Sequence, residues 1–186
     1  EVVLHAQKVE FEAWFMSIAD DSDDVLDRFR SFELTAAWLN EGREHNKRVV
    51  DVLTERVDRY PSRRRGPGAT YPHVVVDTNA PAEDHWWGIM AGDIPPPEWM
   101  PEEDVKSLVK PKGWTFYTQP GAVEEIKEHG RFTGWKIKNN YENIDRFSKT
   151  LNRWIGLSPE YYERMIQGKS YAFVKVQVAN QYGEDQ

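Results

Sequence analysis

The amino-acid sequence predicts an α/β fold with a mainly parallel sheet. Two short runs, residues 34–41 and 73–79, have the length and composition of buried strands that end in polar residues. Between them, residues 46–59 place apolar side chains at helical spacing, on Val49, Val50, Leu53 and Val57. A strand, a helix and a second strand in this order form a βαβ-like unit, which requires parallel strands and a right-handed crossover.

The composition limits the class of protein. The chain has 186 residues, 39% of them hydrophobic, and a formal net charge of -7. This is enough apolar material for one domain with a sizeable core, and the charge does not indicate a surface that coats nucleic acid. With no cysteine, disulfides and thiolate metal sites are excluded. No apolar stretch approaches the ~20 residues of a membrane helix, so we expect no membrane partner.

Further elements are predicted along the chain. The acidic residues 20–24 lack the glycine and distal glutamate of a calcium loop, and therefore indicate a helix start. Proline-rich residues 83–112 are expected to be irregular, and Ser158 with Pro159 predicts a helix closed by Gly168. Strands are predicted at residues 2–11, 114–119 and 171–178, the last because its apolar residues alternate.

Polar residues follow both strands of the βαβ-like unit. Asn40 and Glu41 come directly after the first strand, and Thr78 and Asn79 follow the second. Open α/β sheets bind ligands at the carboxyl ends of their strands, so the four side chains are expected to share one edge. Each strand end alone is also typical of a buried strand that runs into an ordinary solvated loop. Two polar strand ends that lie side by side would make a better ligand-binding site than one strand end alone.

Several stretches in series resemble the large terminase subunit of tailed bacteriophages, the ATPase that pumps DNA into the empty capsid. The resemblance spans residues 34–182, most of the chain. The stretches that carry it are Trp38-Leu39-Asn40-Glu41 with Arg43-Glu44, Arg56-Val57-Asp58-Arg59-Tyr60-Pro61-Ser62, Val76-Asp77-Thr78-Asn79-Ala80-Pro81, Asp84-His85-Trp86-Trp87, Phe116-Tyr117-Thr118-Gln119-Pro120 and Tyr161-Tyr162-Glu163.

The resemblance implies an α/β three-layer sandwich of the P-loop NTPase type, which uses ATP and Mg²⁺. It puts Asn40 and Glu41 in the Walker B place, where Glu41 would activate the water that attacks the γ-phosphate. The magnesium-holding aspartate of the usual motif would fall at Asn40. An amide oxygen can still hold the metal or a bound water, although this departure puts the detail of metal binding in doubt.

The resemblance implies roles for further residues as well. Thr78 and Asn79 match a coupling motif, and Arg56 with Arg59 match a basic motif expected to stabilise charge; exposed helix arginines are the simpler interpretation of that pair. The basic loop of Arg63, Arg64 and Arg65 is a candidate for contacts to DNA phosphates, which carry no sequence information.

The implied partners are double-stranded DNA, the portal, the small terminase subunit and further copies in a homo-oligomeric ring. The implied location is the cytoplasm of the bacterial host.

No glycine-rich phosphate loop followed by Lys-Ser or Lys-Thr occurs in the sequence. We therefore expect residues 1–186 to be the later part of the ATPase domain, cut from a longer protein and ending near a nuclease domain. Alone, this segment should bind nucleotide poorly and hydrolyse it hardly at all.

Two other functions are considered. One is a non-catalytic, aromatic-rich interaction module that uses Trp86, Trp87 and residues 114–154. The other is a nuclease, which is disfavoured because Asp77 lacks carboxylate and lysine partners at the usual spacing. The ATPase interpretation requires Glu41 and Thr78 at the same edge of a parallel sheet, on adjacent strands.

Overall fold

The computed structural model describes residues 2–6, 9–18, 22–141 and 143–183, which fall into two compact units. The first unit comprises Glu1–Leu39 and His45–Val76, and the second Asn40–Glu44 and Asp77–Gln186. The elements of the first unit are β1 (Val2–Ala6), β2 (Val9–Ala13), α1 (Asp23–Arg30), β3 (Ala36–Leu39), α2 (Lys47–Arg56) and β4 (His73–Val76).

The core of the first unit is formed by α1 and α2. Leu26 and Phe29 of α1 are buried, and so are Val49, Val50 and Leu53 of α2, as their helical spacing predicts. The Asn46 side chain caps α2 by accepting a hydrogen bond from the Arg48 amide at 2.9 Å. The apolar stripe and the cap together explain why α2 is a helix. Asp20 and Asp21, in the predicted acidic helix start, lie outside the described residues.

The predicted βαβ-like unit is confirmed for one pair of strands. β3 pairs with β4 in parallel, in a register that sets Ala36 opposite His73 and Leu39 opposite Val76. The helix between them is α2, as expected. The polar residues that follow Leu39 and Val76 therefore leave the two strands at the same level of the ladder.

The second unit contains a 3₁₀ turn and several short helices and strands, none longer than ten residues. Its elements are η1 (Gly42–Glu44), α3 (Trp86–Ala91), α4 (Glu102–Ser107), β5 (Val123–Glu128), β6 (Arg131–Ile137), β7 (Arg146–Ser148), β8 (Arg153–Ile155), α5 (Pro159–Ile166) and α6 (Tyr171–Gln177). The β5–β6 hairpin and α6 contribute to one core, which contains Ala122, Val123, Tyr141, Val174, Val178 and Ala179.

Two hairpins complete the second unit. His129 and Gly130 connect β5 to β6, and both have positive φ angles, 51° and 78°. Two consecutive left-handed residues give the turn whose twist matches antiparallel strands, which explains the glycine. The β7–β8 hairpin is anchored below its strands, where the Leu157 amide donates to the Asn143 carbonyl at 2.8 Å.

The expected mainly parallel sheet is not what the described residues form. They form four two-stranded sheets, and only β3 and β4 are parallel; β1–β2, β5–β6 and β7–β8 are antiparallel hairpins. Short turns join β5 to β6 and β7 to β8 directly, which leaves no helical crossover between the strands of these two pairs. The described part of the chain thus shows mixed α/β content with small sheets.

Three predicted strands differ from the structure. Residues 2–6 form β1 and residues 9–11 belong to β2, whereas residues 7–8 lie outside the described residues; residues 114–119 have no regular structure. The prediction for residues 171–178 fails in type, since Tyr171–Gln177 is the helix α6. There the Ser170 hydroxyl accepts a hydrogen bond from the Phe173 amide at 3.1 Å, and this cap with core packing overrides the β-branched composition.

The structure also bears on the membrane question. Within residues 2–6, 9–18, 22–141 and 143–183, no helix combines the length and the apolar character needed to cross a bilayer.

Gly121 gives a test of the packing in the second unit. A Cβ atom at this position would lie 2.1 Å from the Ala179 carbonyl oxygen, a backbone atom that cannot rotate away. We expect Gly121→Ala to lower the free energy of unfolding by about 3 kcal/mol, measured by urea denaturation.

The matched control is Gly134→Ala, because a Cβ there has nothing within 4 Å. Gly134 lies in β6, where a residue with a side chain is also tolerated. Equal stability of the two variants would contradict the close approach of the backbones at Gly121.

Candidate functional site at the carboxyl ends of the parallel strands

Within the second unit, the loop that follows β3 is hydrogen-bonded to the segment that follows β4. The Gly42 amide donates to the Asp77 carbonyl at 2.9 Å. One residue further on, the Arg43 amide donates to Thr78 Oγ1 at 3.1 Å. The loop that contains Glu41 and the segment that contains Thr78 are therefore joined within this unit by two hydrogen bonds.

Glu41 has an unusual backbone and an unusual side chain. Its φ angle is 53°, in the left-handed region that costs a side-chain-bearing residue about 1–2 kcal/mol. Its Oε2 atom is buried and accepts no hydrogen bond from any described residue. The nearest charge is Arg43 Nε, 3.9 Å from Oε2, and 39% of the Glu41 side chain is exposed. Glu41 shares a left-handed backbone and a buried carboxylate oxygen that accepts no hydrogen bond with Asp58, so its position in the loop that contacts Thr78, and not this combination alone, makes it a candidate.

Thr78 and Asn79 connect this loop to the last helix. Thr78 Oγ1 accepts from the Arg43 amide and donates to the Asn79 carbonyl at 2.9 Å. Asn79 Nδ2 donates in turn to Gln177 Oε1 at 3.0 Å. Both predicted coupling residues are half-buried, and the side chains of both form hydrogen bonds within the second unit.

Asn180, just after α6, holds two further segments together. Its Oδ1 accepts from the Ala80 amide at 3.0 Å, and its Nδ2 donates to the Gln119 carbonyl at 2.8 Å. Its φ angle of 51° is left-handed, a conformation that asparagine tolerates better than most residues. The segment after β4 is therefore fixed to the end of α6 through Asn79 and Ala80.

A small cleft lies beside these contacts. It has a volume of ≈ 50 Å³, room for very few water molecules and far less than the ≈ 300–1,000 Å³ of a typical ligand pocket. Its lining comprises Thr78, Asn79, Ala80, Pro81, Trp87, Tyr117, Thr118, Asn180 and Tyr182. This cleft is too small to enclose a nucleotide.

Tyr182 closes the cleft with a neutral hydroxyl. The hydroxyl donates to Asp93 Oδ2 at 2.7 Å, and burial together with this carboxylate raises the pKa of Tyr182 far above its usual value. A Cβ on Gly88 would lie 2.9 Å from the Tyr182 ring, so the ring packs directly on that glycine. Tyr182 is a structural donor here, because its proton stays on the oxygen.

Arg56 and Arg59, the predicted charge-stabilising pair, lie in the first unit. The Arg56 side chain is only 14% exposed, and its Nη1 donates to the Arg30 carbonyl at 2.8 Å, at the end of α1. Arg59 is exposed, and its Nε donates to the Glu55 carbonyl at 2.8 Å. Arg56 is thus largely occupied in holding α1, whereas the Arg59 guanidinium faces solvent.

The arginines of the predicted DNA-contacting loop also lie in the first unit. Arg63 Nη2 contacts Asp58 Oδ2 at 2.7 Å. Arg64 and Arg65 are exposed, and their amides contact Ser62 at 3.3 Å and 2.9 Å. The loop is consequently a folded turn with exposed guanidinium groups.

Asn40, the predicted metal ligand, is exposed at the end of β3. Among the residues that the structure describes, no three histidine or carboxylate side chains cluster as a ready-made metal cage. Mg²⁺ needs no such cage, since it keeps several waters and takes one or two protein ligands alongside phosphate oxygens. The Asn40 side chain is exposed, so its amide oxygen is open to an ion of that kind.

Sequence reasoning missed the residues that hold the site together. The resemblance includes Arg43 but implies no role for it, and no motif of the resemblance contains Gln177 or Asn180. Two local signals exist in the sequence. Asn180 is an asparagine beside a helix end, where this residue is a frequent cap, and Gln177 is a polar residue in an apolar run. Their partners lie 98 and 100 residues away in the sequence, which no local pattern reveals.

The role of Asn180 is testable. Asn180→Gly keeps a residue suited to the left-handed backbone but removes both side-chain hydrogen bonds, leaving the Ala80 amide and the Gln119 carbonyl unpaired. We expect the free energy of unfolding to fall by about 2 kcal/mol in urea denaturation.

Asn152→Gly is the matched control, since Asn152 has a φ angle of 48° in the exposed β7–β8 loop. It should change stability by less than about 0.5 kcal/mol. A loss as large as that of Asn180→Gly would show that the greater conformational freedom of glycine, and not the loss of the two hydrogen bonds, lowers the stability.

The resemblance seen in the motifs has no counterpart in wider comparisons. No protein-family model, no curated protein and no solved structure matches this chain. What the site does is therefore inferred from its own residues and contacts.

Proposed function

We propose that this chain is part of a viral DNA-packaging ATPase, a large terminase subunit that couples ATP hydrolysis to translocation of double-stranded DNA into the capsid. One observation carries the proposal. A strained glutamate with an unpaired carboxylate oxygen follows one parallel strand, and its loop is hydrogen-bonded to a threonine that follows the next strand.

Under this proposal, Glu41 is the catalytic residue. The Glu41 side chain is 39% exposed, so its carboxylate can accept a proton from a water molecule and orient that water for in-line attack on the γ-phosphate. The left-handed backbone fixes the direction in which the carboxylate leaves the strand end. The cost of holding that conformation is met by the hydrogen bonds at Gly42 and Arg43.

The rest of the nucleotide site would come from a phosphate loop outside this sequence. Asn40 would hold Mg²⁺, directly or through a bound water, and the metal would supply positive charge to the phosphate oxygens. The small cleft in the second unit agrees with this division of labour, because it leaves no room for ATP. The chain alone is expected to be inactive.

The coupling function is assigned to the contacts of Thr78 and Asn79. A change in the Glu41 loop on loss of the γ-phosphate alters the Arg43 contact to Thr78, and Asn79 passes it to Gln177 in α6. Each step is a hydrogen bond between residues of the second unit. The contacts supply a physical route, and its use as a coupling path is part of the proposal.

The arginines are assigned by their exposure. Arg59 is the better candidate for charge stabilisation, in its own subunit or across to a neighbour in the ring, since Arg56 is largely buried against Arg30. Arg64 and Arg65, with Arg63, would contact the DNA backbone without reading sequence. The portal, the small terminase subunit and the host cytoplasm complete the proposed setting.

The parallel pair supports a place in a larger sheet. Parallel strands are normally covered on both faces, yet Trp38 of β3 is 73% exposed and its cross-strand neighbour Val75 is exposed as well. The three-layer P-loop sandwich would cover this face with further elements. The proposal therefore retains that fold for the complete ATPase domain.

A non-catalytic aromatic module remains the alternative. Trp86, Trp87 and Trp114 are half-buried, and Trp87 packs on Phe116 with ring centroids 5.1 Å apart. These three half-buried tryptophans present less surface to a partner than exposed rings would. The placement of Glu41 beside Thr78 is better explained by the ATPase, because a module has no use for a strained glutamate there.

The test is Glu41→Gln in the complete ATPase that contains this segment. Glutamine keeps the size of the side chain but cannot accept a proton at that position. We expect DNA-stimulated ATP hydrolysis to fall by about 10²–10⁴-fold, with nucleotide affinity retained, in a steady-state phosphate-release assay.

Glu44→Gln is the matched control, because Glu44 is exposed in the same 3₁₀ turn. It should hydrolyse ATP at the unmodified rate. The proposal would be wrong if Glu41→Gln retained the DNA-stimulated activity of the unmodified protein.

A further inference from the structure

The β7–β8 hairpin presents two aromatic side chains to solvent. Phe147 and Trp154 lie directly opposite each other in the register, with ring centroids 6.0 Å apart and ring planes at 75°. Trp154 is 67% exposed, although burying its ring would be strongly favourable. Leu151, in the turn, is exposed too. An exposed aromatic pair of this kind is typical of a contact surface.

The same hairpin is positively charged. Residues 146–155 include Arg146, Lys149 and Arg153 and no acidic residue, in a chain whose net charge is -7. All three basic side chains are exposed, and none forms an ion pair with another residue in the described part of the chain. Their charge is therefore available to a negatively charged partner.

The base of the hairpin is fixed to the core. The buried Tyr141 donates its hydroxyl to the Leu157 carbonyl at 3.2 Å, and Ile144 forms a bridge with Leu157. Gly156, with φ of +91°, lets the strand pass against the Ile144 carbonyl, where a Cβ would approach to 2.5 Å. The exposed tip is thus held on a rigid support, which reduces the entropy lost on binding.

We propose that the β7–β8 hairpin binds nucleic acid, with its basic side chains on phosphates and the Trp154 ring stacked on a base. Positive charge interleaved with exposed aromatic rings is the combination by which proteins hold a nucleic-acid backbone and its bases. Charge complementarity selects this partner over an apolar protein surface. The three basic residues would repel one another against an uncharged partner.

The ring geometry favours unpaired bases. Stacking requires a free base face, and in a duplex both faces of each base are covered by neighbouring pairs. Phosphates are common to both forms, so duplex DNA engages the basic residues but not the Trp154 ring. Single-stranded DNA is therefore expected to bind more tightly than a duplex of equal length.

The inference stands apart from the proposed ATPase. It needs neither nucleotide nor Glu41, and it can be tested on the chain as it is. Loss of DNA binding in a hairpin variant leaves the assignment of Glu41 unchanged, and an inactive Glu41→Gln enzyme does not bear on the hairpin.

The first measurement is binding of fluorescently labelled oligothymidylate of about 12 nucleotides, followed by anisotropy and by quenching of tryptophan emission. Trp154→Ala should weaken binding by about ten-fold and remove most of the quenching. Trp99→Ala is the control, because Trp99 is 71% exposed and lies outside the hairpin. It should bind as the unmodified chain does. Equal affinity of Trp154→Ala and Trp99→Ala would overturn the role of the ring.

The second measurement tests the charges. Replacing Arg146, Lys149 and Arg153 by alanine should reduce the slope of log affinity against log salt by about 2 between ~50 and ~200 mM. Single-stranded DNA should bind at least about five-fold more tightly than the duplex. An unchanged slope, or a duplex bound as tightly as the single strand, would contradict the proposal. Far-ultraviolet circular dichroism confirms that each variant is folded.

Discussion

The hydrogen bond from the Arg43 amide to Thr78 Oγ1, with its neighbour from the Gly42 amide to the Asp77 carbonyl, is the constraint on which the site depends. Both bonds lie within the second unit and join residues that follow Leu39 to residues that follow Val76. They are made by the two residues directly after Glu41, whose φ angle of 53° is left-handed. Without them, a carboxylate in an unfavourable conformation would relax into an ordinary solvated loop, and its unpaired oxygen would turn to water.

The same hydrogen bonds also connect the Glu41 loop to the last helix, α6. Because Thr78 also donates to the Asn79 carbonyl, and Asn79 contacts Gln177, the conformation of the Glu41 loop is tied to the end of α6. Asn180 extends the network to Gln119. In the proposed ATPase, the catalytic residue and the route that transmits its state would therefore use the same few polar groups.

The sequence was most informative where apolar spacing and chain order decide the structure. The buried stripe of α2 and the parallel pairing of β3 with β4 follow from such patterns, and with them the meeting of Glu41 and Thr78. Residues 171–178 are predicted to be a strand because their valines alternate. The Ser170 cap and the packing around Val174 instead stabilise a helix. Gln177 and Asn180 could not have been found, since their partners follow from tertiary packing alone.

The most direct test of the central claim is a comparison of Thr78→Val with Thr78→Ser in the complete ATPase. Valine keeps the shape but leaves the Arg43 amide unpaired, whereas serine keeps the hydroxyl. We expect valine to lower kcat for DNA-stimulated ATP hydrolysis by about ten-fold at unchanged KM, and serine to retain most of the activity. Equal kcat values for the two variants would contradict the claim that this hydrogen bond positions Glu41.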